Sequence, residues 1–130
     1  MRDLAEAAKR ARQHAHAPYS KFFVGAAVRD EQGRVFAGCN IENASFPEGW
    51  CAEPTAISAL IMAGGKRITE VAVMGNGDVL CTPCGGCRQR IREFAGDDVK
   101  IHCCTEDGVL IRTFTLGELL PHSFGPGHIK

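Results

Sequence analysis

Two short segments carry the residues best suited to chemistry: Cys51-Ala52-Glu53 and Pro83-Cys84-Gly85-Gly86-Cys87. A Cys-x-x-Cys pair turning into a helix brings two thiolates close enough to share one tetrahedral zinc ion. Cys51, at the start of an earlier helix, can supply a third. Helix N-termini favour the thiolate through the helix dipole and free N–H groups. Three protein ligands leave one coordination position for water, the pattern of a catalytic site rather than a structural one. Glu53 follows Cys51 too closely for both to ligate comfortably. It is well placed to take a proton from an activated water and deliver it to a substrate. The thiols alone fit equally a structural zinc site completed by Cys103 or Cys81. A Cys-x-x-Cys redox pair fits less well, because no thioredoxin-like context surrounds it. Glu53 and Pro83 turn the balance toward metal-assisted hydrolysis.

Helices and strands must hold these segments together. The sequence predicts a first helix capped by Asp3 and running to about His16, with Leu4, Ala8, Ala11 and Ala15 at helical spacing and Pro18 ending it. Phe23 to Arg29 and Arg34 to Asn40 read as a hairpin around the turn Asp30 to Gly33, and Asn43 to Trp50 as a loop. A second helix runs from about Cys51 to Ala63, with Ala56, Ile57, Leu60 and Ile61 as its apolar set, stopped by Gly64-Gly65. Strands at Ile68 to Met74, Val99 to Cys104 and Leu110 to Phe114 follow, with a third helix from Cys84 to Phe94 between the first two. A short helix, Leu116 to Leu120, precedes the tail. Helices inserted between strands predict an α/β domain over residues 1–130, one mixed sheet covered by helices.

Composition narrows the functional class. Lys plus Arg and Asp plus Glu both number 15, so the chain lacks the basic excess of a nucleic-acid binder. Its apolar runs are too short to span a bilayer. The charged start MRDLAEAAKRARQ has no apolar signal core, so a cytoplasmic protein is expected. Seven cysteines, an odd count in that compartment, favour reduced thiols, metal binding or catalysis over disulfides. None of the five histidines matches a ligand position, and all read as surface or ordinary polar residues. Cys39, Cys81, Cys103 and Cys104 read as structural thiols.

The two segments match the zinc deaminase pattern His-x-Glu followed by Pro-Cys-x-x-Cys, with Cys in place of His. Pro18-Tyr19-Ser20-Lys21-Phe22, Val24-Gly25-Ala26-Ala27, Gly38-Cys39-Asn40-Ile41-Glu42-Asn43-Ala44, Arg88-Gln89, Leu119-Leu120-Pro121 and Phe124-Gly125-Pro126 complete the set. Along nearly its whole length the chain resembles the small homotetrameric cytidine deaminases. The resemblance implies a three-layer α/β/α fold with about five strands. It implies one zinc ion per subunit, held by Cys51, Cys84 and Cys87, with Glu53 as proton shuttle. It also implies a ribose-binding pair, Asn40 and Glu42, and places Phe22 against the base. Backbone around Ala52 and Cys84 would hold the pyrimidine edge, and Phe124 would reach a neighbouring subunit's site. Turn capping is the structural alternative for Asn40 and Glu42. The implied substrates are cytidine and 2′-deoxycytidine. The alternatives are a modified cytosine nucleoside, a blasticidin S-like antibiotic, or a non-catalytic zinc-stabilised binding module.

One position departs from the resemblance. After Cys-Ala-Glu the tetrameric enzymes commonly carry Arg, and here the residue is Pro54. Proline fits the first turn of a helix but biases the preceding residue, Glu53, away from helical angles. It brings neither charge nor N–H to a thiolate-rich site. Arg88, directly after Cys87, and the N-termini of the second and third helices are the expected sources of positive potential.

Overall fold

The computed structural model describes residues 1–129. Its elements are α1 (Arg2–Arg12), β1 (Gly25–Asp30), β2 (Val35–Cys39), α2 (Ala52–Met62), β3 (Ile68–Met74), α3 (Gly85–Arg92), β4 (Lys100–Cys104), β5 (Leu110–Thr115) and α4 (Leu116–Leu119). The five strands form one sheet in the order β2-β1-β3-β4-β5. Only β3 and β4 run parallel, and α3 is the helix that makes that crossover possible.

The alternation of side chains along the central strands assigns the helices to two faces. Ala26 and Val28 of β1, Val71 and Val73 of β3, and Ile101 and Cys103 of β4 share a buried cluster with α2, α3 and α4, through Ala52, Ala56, Leu60, Ile91 and Leu116. Ala27, Ala72, Met74 and Cys104 point the other way and pack on Leu4, Ala5 and Ala8 of α1. The result is the expected three-layer α/β/α arrangement with a mixed five-stranded sheet. No helix among the described residues is long and apolar enough to cross a membrane.

Two glycines set how closely helices approach the sheet. A Cβ on Gly25 would lie 2.1 Å from the Ala8 carbonyl oxygen of α1. A Cβ on Gly38 would lie 2.7 Å from both Ala52 O and Ala56 N of α2. The second contact matters for function, because it seats the N-terminal turn of α2, which carries Cys51 and Glu53, directly on β2.

Four local expectations are corrected. Helix α1 starts at Arg2 with Met1 as N-cap, so Asp3 lies in its first turn; there its carboxylate accepts from Arg29 at 2.8 Å. The helix ends at Arg12 rather than near His16, because the next residues pair with the chain after β2: His16 N donates to Asn40 O (3.0 Å) and Glu42 N to His16 O (2.7 Å). Ile61 is 43% exposed, and the buried stripe of α2 is Ala52, Ala56, Ile57 and Leu60, since Ile61 lies about 140° around the helix from Ala56, at the edge of that stripe. His102 is buried in β4, where Nε2 meets Glu70 Oε2 at 2.6 Å and Nδ1 meets Thr113 Oγ1 at 2.8 Å. Neighbouring strands supply both partners, which is why local sequence gave no sign of its burial.

Candidate metal centre and active site

Two helix starts build the centre. Cys51 is the N-cap of α2 and Cys84 the N-cap of α3, both in extended backbone conformation with no capping side-chain hydrogen bond. Cys87 follows in the first turn of α3 and is fully buried. The Sγ atoms of Cys51 and Cys84 are 4.0 Å apart, and all three thiols lie within 4.8 Å of one another. Thiolates on one tetrahedral zinc at about 2.3 Å stand about 3.8 Å from each other, so the group fits that ion. Among the described residues this is the only such group, and it includes neither Cys81 nor Cys103. The fourth thiol of a structural site is therefore not gathered.

The electrostatics of the thiols also call for a cation. Burial raises the pKa of Cys51 and of Cys87, and the nearby Glu53 carboxylate raises both further. Burial opposes the Cys84 thiolate too. There the backbone N–H of Cys87 and the neighbouring Cys87 and Cys51 thiols more than compensate, and the pKa falls below the ordinary value. A positive partner would favour the thiolate form of all three groups.

Glu53 occupies the second position of α2, with only 4% of its surface exposed. Burial raises its pKa, against the pull of its own backbone N–H, the Cys87 thiol and the Arg90 charge. A carboxyl held partly toward its protonated form is suited to carry protons. Pro54 does not displace it: Glu53 is helical, and Pro54 sits in the first turn, where no intrahelical N–H is required.

Cys51, Cys84 and Glu53 line a cleft of about 300 Å³ whose walls also include Phe22, Asn40, Glu42, Ala52 and Thr82, with Cys87 buried behind it. Backbone bonds between Ile41 and Trp50, at 2.9 and 2.8 Å, close the intervening loop and bring Cys51 beneath Asn40 and Glu42. Asn40 Oδ1 accepts from Val24 N (2.9 Å), and its Nδ2 donates to Phe22 O (2.9 Å). Glu42 accepts from the backbone N–H groups of Tyr19 (3.0 Å) and Ser20 (3.2 Å), and from the Ser20 hydroxyl. That hydroxyl is the main reason its carboxyl is held below the usual range. Both side chains thus brace the loop before β1, and each keeps unused hydrogen-bonding capacity, one amide N–H and several lone pairs. A second, mainly apolar concavity of about 410 Å³ adjoins the first, sharing Glu42 and Gly49 and bordered by Tyr19 and Phe46.

Phe124 lies outside the cleft of its own chain. It is 57% exposed, its ring stacks on His128 at 4.9 Å, and its carbonyl accepts from Gln89 Nε2 at 2.9 Å. Arg88 does not contact the thiols. Its Nε donates to Pro83 O (2.8 Å), Nη1 to Leu119 O (2.8 Å) and Nη2 to Thr82 Oγ1 (2.9 Å), which ties the Cys84 loop to α4. The cation that meets one of the three thiols is Arg90, whose Nη1 lies 3.6 Å from Cys87 Sγ. Sequence reasoning missed it, although its i+3 spacing from Cys87 on a helix was available as a signal. It also missed Cys81, which lines the cleft rather than the core.

The cytidine and deoxycytidylate deaminase zinc-binding region matches residues 1–103. The chain is 44% identical over 112 residues to a cytidine deaminase of Mycobacterium tuberculosis, covering 85% of this chain and 79% of that protein. It is 38% identical over 121 residues to one of Sporosarcina psychrophila, covering 93% and 88%. Among solved structures it is similar to the cytidine deaminase from Burkholderia pseudomallei, at 41% identity and a TM-score of 0.85 over 94% of this chain and 97% of that one. Site geometry and similarity together show that this chain belongs to the cytidine and deoxycytidylate deaminase zinc-binding family.

Proposed function

We propose that the protein hydrolyses the 4-amino group of cytidine and 2′-deoxycytidine, giving uridine or 2′-deoxyuridine and ammonia. The observation that carries the proposal is the pairing of a buried carboxylate, Glu53, with three convergent thiols, two of which line a nucleoside-sized cleft. Cys51, Cys84 and Cys87 would hold a zinc ion, which would lower the pKa of a bound water toward neutrality. Glu53 takes the water's proton and donates it to N3 of the ring as oxygen bonds to C4. Glu53 then carries the proton of the new C4 hydroxyl to the 4-amino nitrogen, the C4–N bond breaks as the C4 carbonyl forms, and ammonia leaves. Backbone around Ala52 and Cys84 holds the pyrimidine edge, Phe22 lies against the base, and Asn40 with Glu42 binds the sugar hydroxyls. Such a reaction serves pyrimidine salvage. Equal numbers of acidic and basic residues favour a free nucleoside over a polynucleotide. The free thiols, none paired in a disulfide among the described residues, suit a reducing cytoplasm.

A substrate panel followed by ultraviolet loss and ammonia release tests the reading. Cytidine and 2′-deoxycytidine are the expected substrates, and free cytosine, which lacks ribose, is expected to be very poor. Asn40→Ala or Glu42→Ala is expected to raise KM while leaving zinc in place, since a hydrogen bond involving a charged group contributes about 1.5–3 kcal/mol. Efficient turnover of free cytosine overturns the sugar assignment.

We further infer a homotetramer in which Phe124 completes a neighbour's cleft. Its exposure, its fixed position on Gln89 and His128, and its absence from its own cleft support this arrangement. Exposed Tyr19, Phe46 and Trp50 near the cleft offer further contact surface. Light scattering is expected to give about four times the 14.0 kDa subunit mass. Trimming the tail before Phe124 is expected to lower activity with the fold retained. Full activity at the subunit mass refutes the assembly.

A further inference from the structure

Three thiolates around one divalent cation carry an excess negative charge, so the site needs positive potential from its surroundings. The two helix N-termini supply part of it. Helix α2 contributes less than usual, because Pro54 removes one of its first-turn N–H groups. Arg88 has all three nitrogens committed to oxygens.

Arg90 is differently placed. It lies one turn after Cys87 on α3, and its Nη1 reaches back to within 3.6 Å of the Cys87 sulfur. Two neighbours hold the guanidinium there. On one side is Trp50, the residue before Cys51, with Arg90 Cζ 5.0 Å from the ring centroid. On the other is Gly86: a Cβ at that position would lie 3.3 Å from Nη1 and 3.8 Å from Cζ, so the missing side chain leaves the space the guanidinium fills. A planar cation seated on an indole loses little further freedom when it meets the sulfur.

We propose that Arg90, held on Trp50, is the positioning residue that balances the charge of the thiolate centre through Cys87. This rests on the reading of Cys51, Cys84 and Cys87 as zinc ligands. It also gives Trp50, whose other surroundings include the cleft, a role in orienting the cation.

The test uses the zinc-loaded protein and two readouts that need no substrate. Zinc affinity is measured at fixed pH by competition with a chromophoric chelator, and the thiolate-to-metal charge-transfer band is recorded after replacement of zinc by cobalt(II). Arg90→Ala and Arg90→Gln are expected to weaken zinc binding about 10- to 100-fold, the usual effect of losing an outer-shell partner. Removing the positive charge raises the energy of the sulfur lone pairs, so the cobalt band is expected to shift to longer wavelength. Arg90→Lys keeps the charge and is expected to recover part of both effects. Trp50→Leu is expected to shift them in the same direction by less. Arg90 is exposed, so the variants should fold, and melting of the zinc-free forms checks this. The proposal is overturned if Arg90→Ala keeps wild-type zinc affinity within about twofold with an unmoved band. It is equally overturned if the lysine and alanine variants lose affinity alike. Failure of the deaminase reading would appear separately, as zinc-loaded wild-type protein that leaves cytidine unchanged.

Discussion

Glu53→Gln is expected to bind zinc at one ion per chain and still lose turnover by a factor near the top of the 10²–10⁴-fold range, at roughly 10⁴, typical of a general acid–base group. In the proposed reaction the same carboxylate serves proton removal, delivery to N3 and delivery to the leaving amine, so one substitution disables all three steps. Glutamine has nearly the same shape, and its amide can occupy the 4%-exposed position without burying a charge. The variant's melting temperature is therefore expected to match or exceed that of wild type, since burial acts against the glutamate carboxylate. Metal analysis, a melting curve and a single-turnover assay with cytidine check the three parts. A Gln variant that loses zinc, or that turns over at a near-normal rate, removes Glu53 from the proposed role.

Removal of the metal is expected to have an effect at least as large. A strong chelator acts on ligands that come from two separate helices, so losing the ion unties the N-terminus of α2 from that of α3. Activity is expected to vanish and to return on addition of zinc, but not of magnesium, which thiolate ligands bind poorly. Stability should fall as well. At free zinc a thousandfold above its Kd, binding adds about 4 kcal/mol to the folded state. For a domain of this size that corresponds to a drop in Tm on the order of 10–15 °C on stripping. Calorimetry before and after chelation measures it. Full activity in protein shown to be metal-free refutes the metal assignment, and an unchanged Tm refutes the cross-linking role.

The fold's behaviour around Pro54 illustrates why local preference and final geometry differ. Proline biases the residue before it away from helix, yet Glu53 is helical. The close seating of Ala52 and Ala56 on Gly38 draws this turn onto the sheet, and burial of Ala52, Ala56 and Leu60 outweighs a weak backbone bias.

The sequence alone determined what depends on residue type and short spacing. The Cys-x-x-Cys turn, the third thiol and its neighbouring carboxylate, the alternation along β3 and β4, and the glycine stop after α2 all lie within a few residues of the features they specify. Each is therefore legible without knowing the rest of the chain. Tertiary structure alone decided what depends on elements distant in sequence. Helix α1 ends early because residue 16 finds backbone partners beyond β2. His102 is buried because β3 and β5 bring Glu70 and Thr113 to it. Cys81 lines the cleft because the loop after β3 folds over the start of α2. Most consequential is the choice between two arginines two positions apart. About 200° of rotation around α3 separates Arg88 from Arg90 at 3.6 residues per turn. The nearer residue in sequence turns to the carbonyls of Pro83 and Leu119, and the farther one returns to the Cys87 sulfur. Sequence proximity pointed to Arg88, but the arginine that reaches a thiol is Arg90, because the direction of a side chain from a helix is set by its angular position and by what packs against that face.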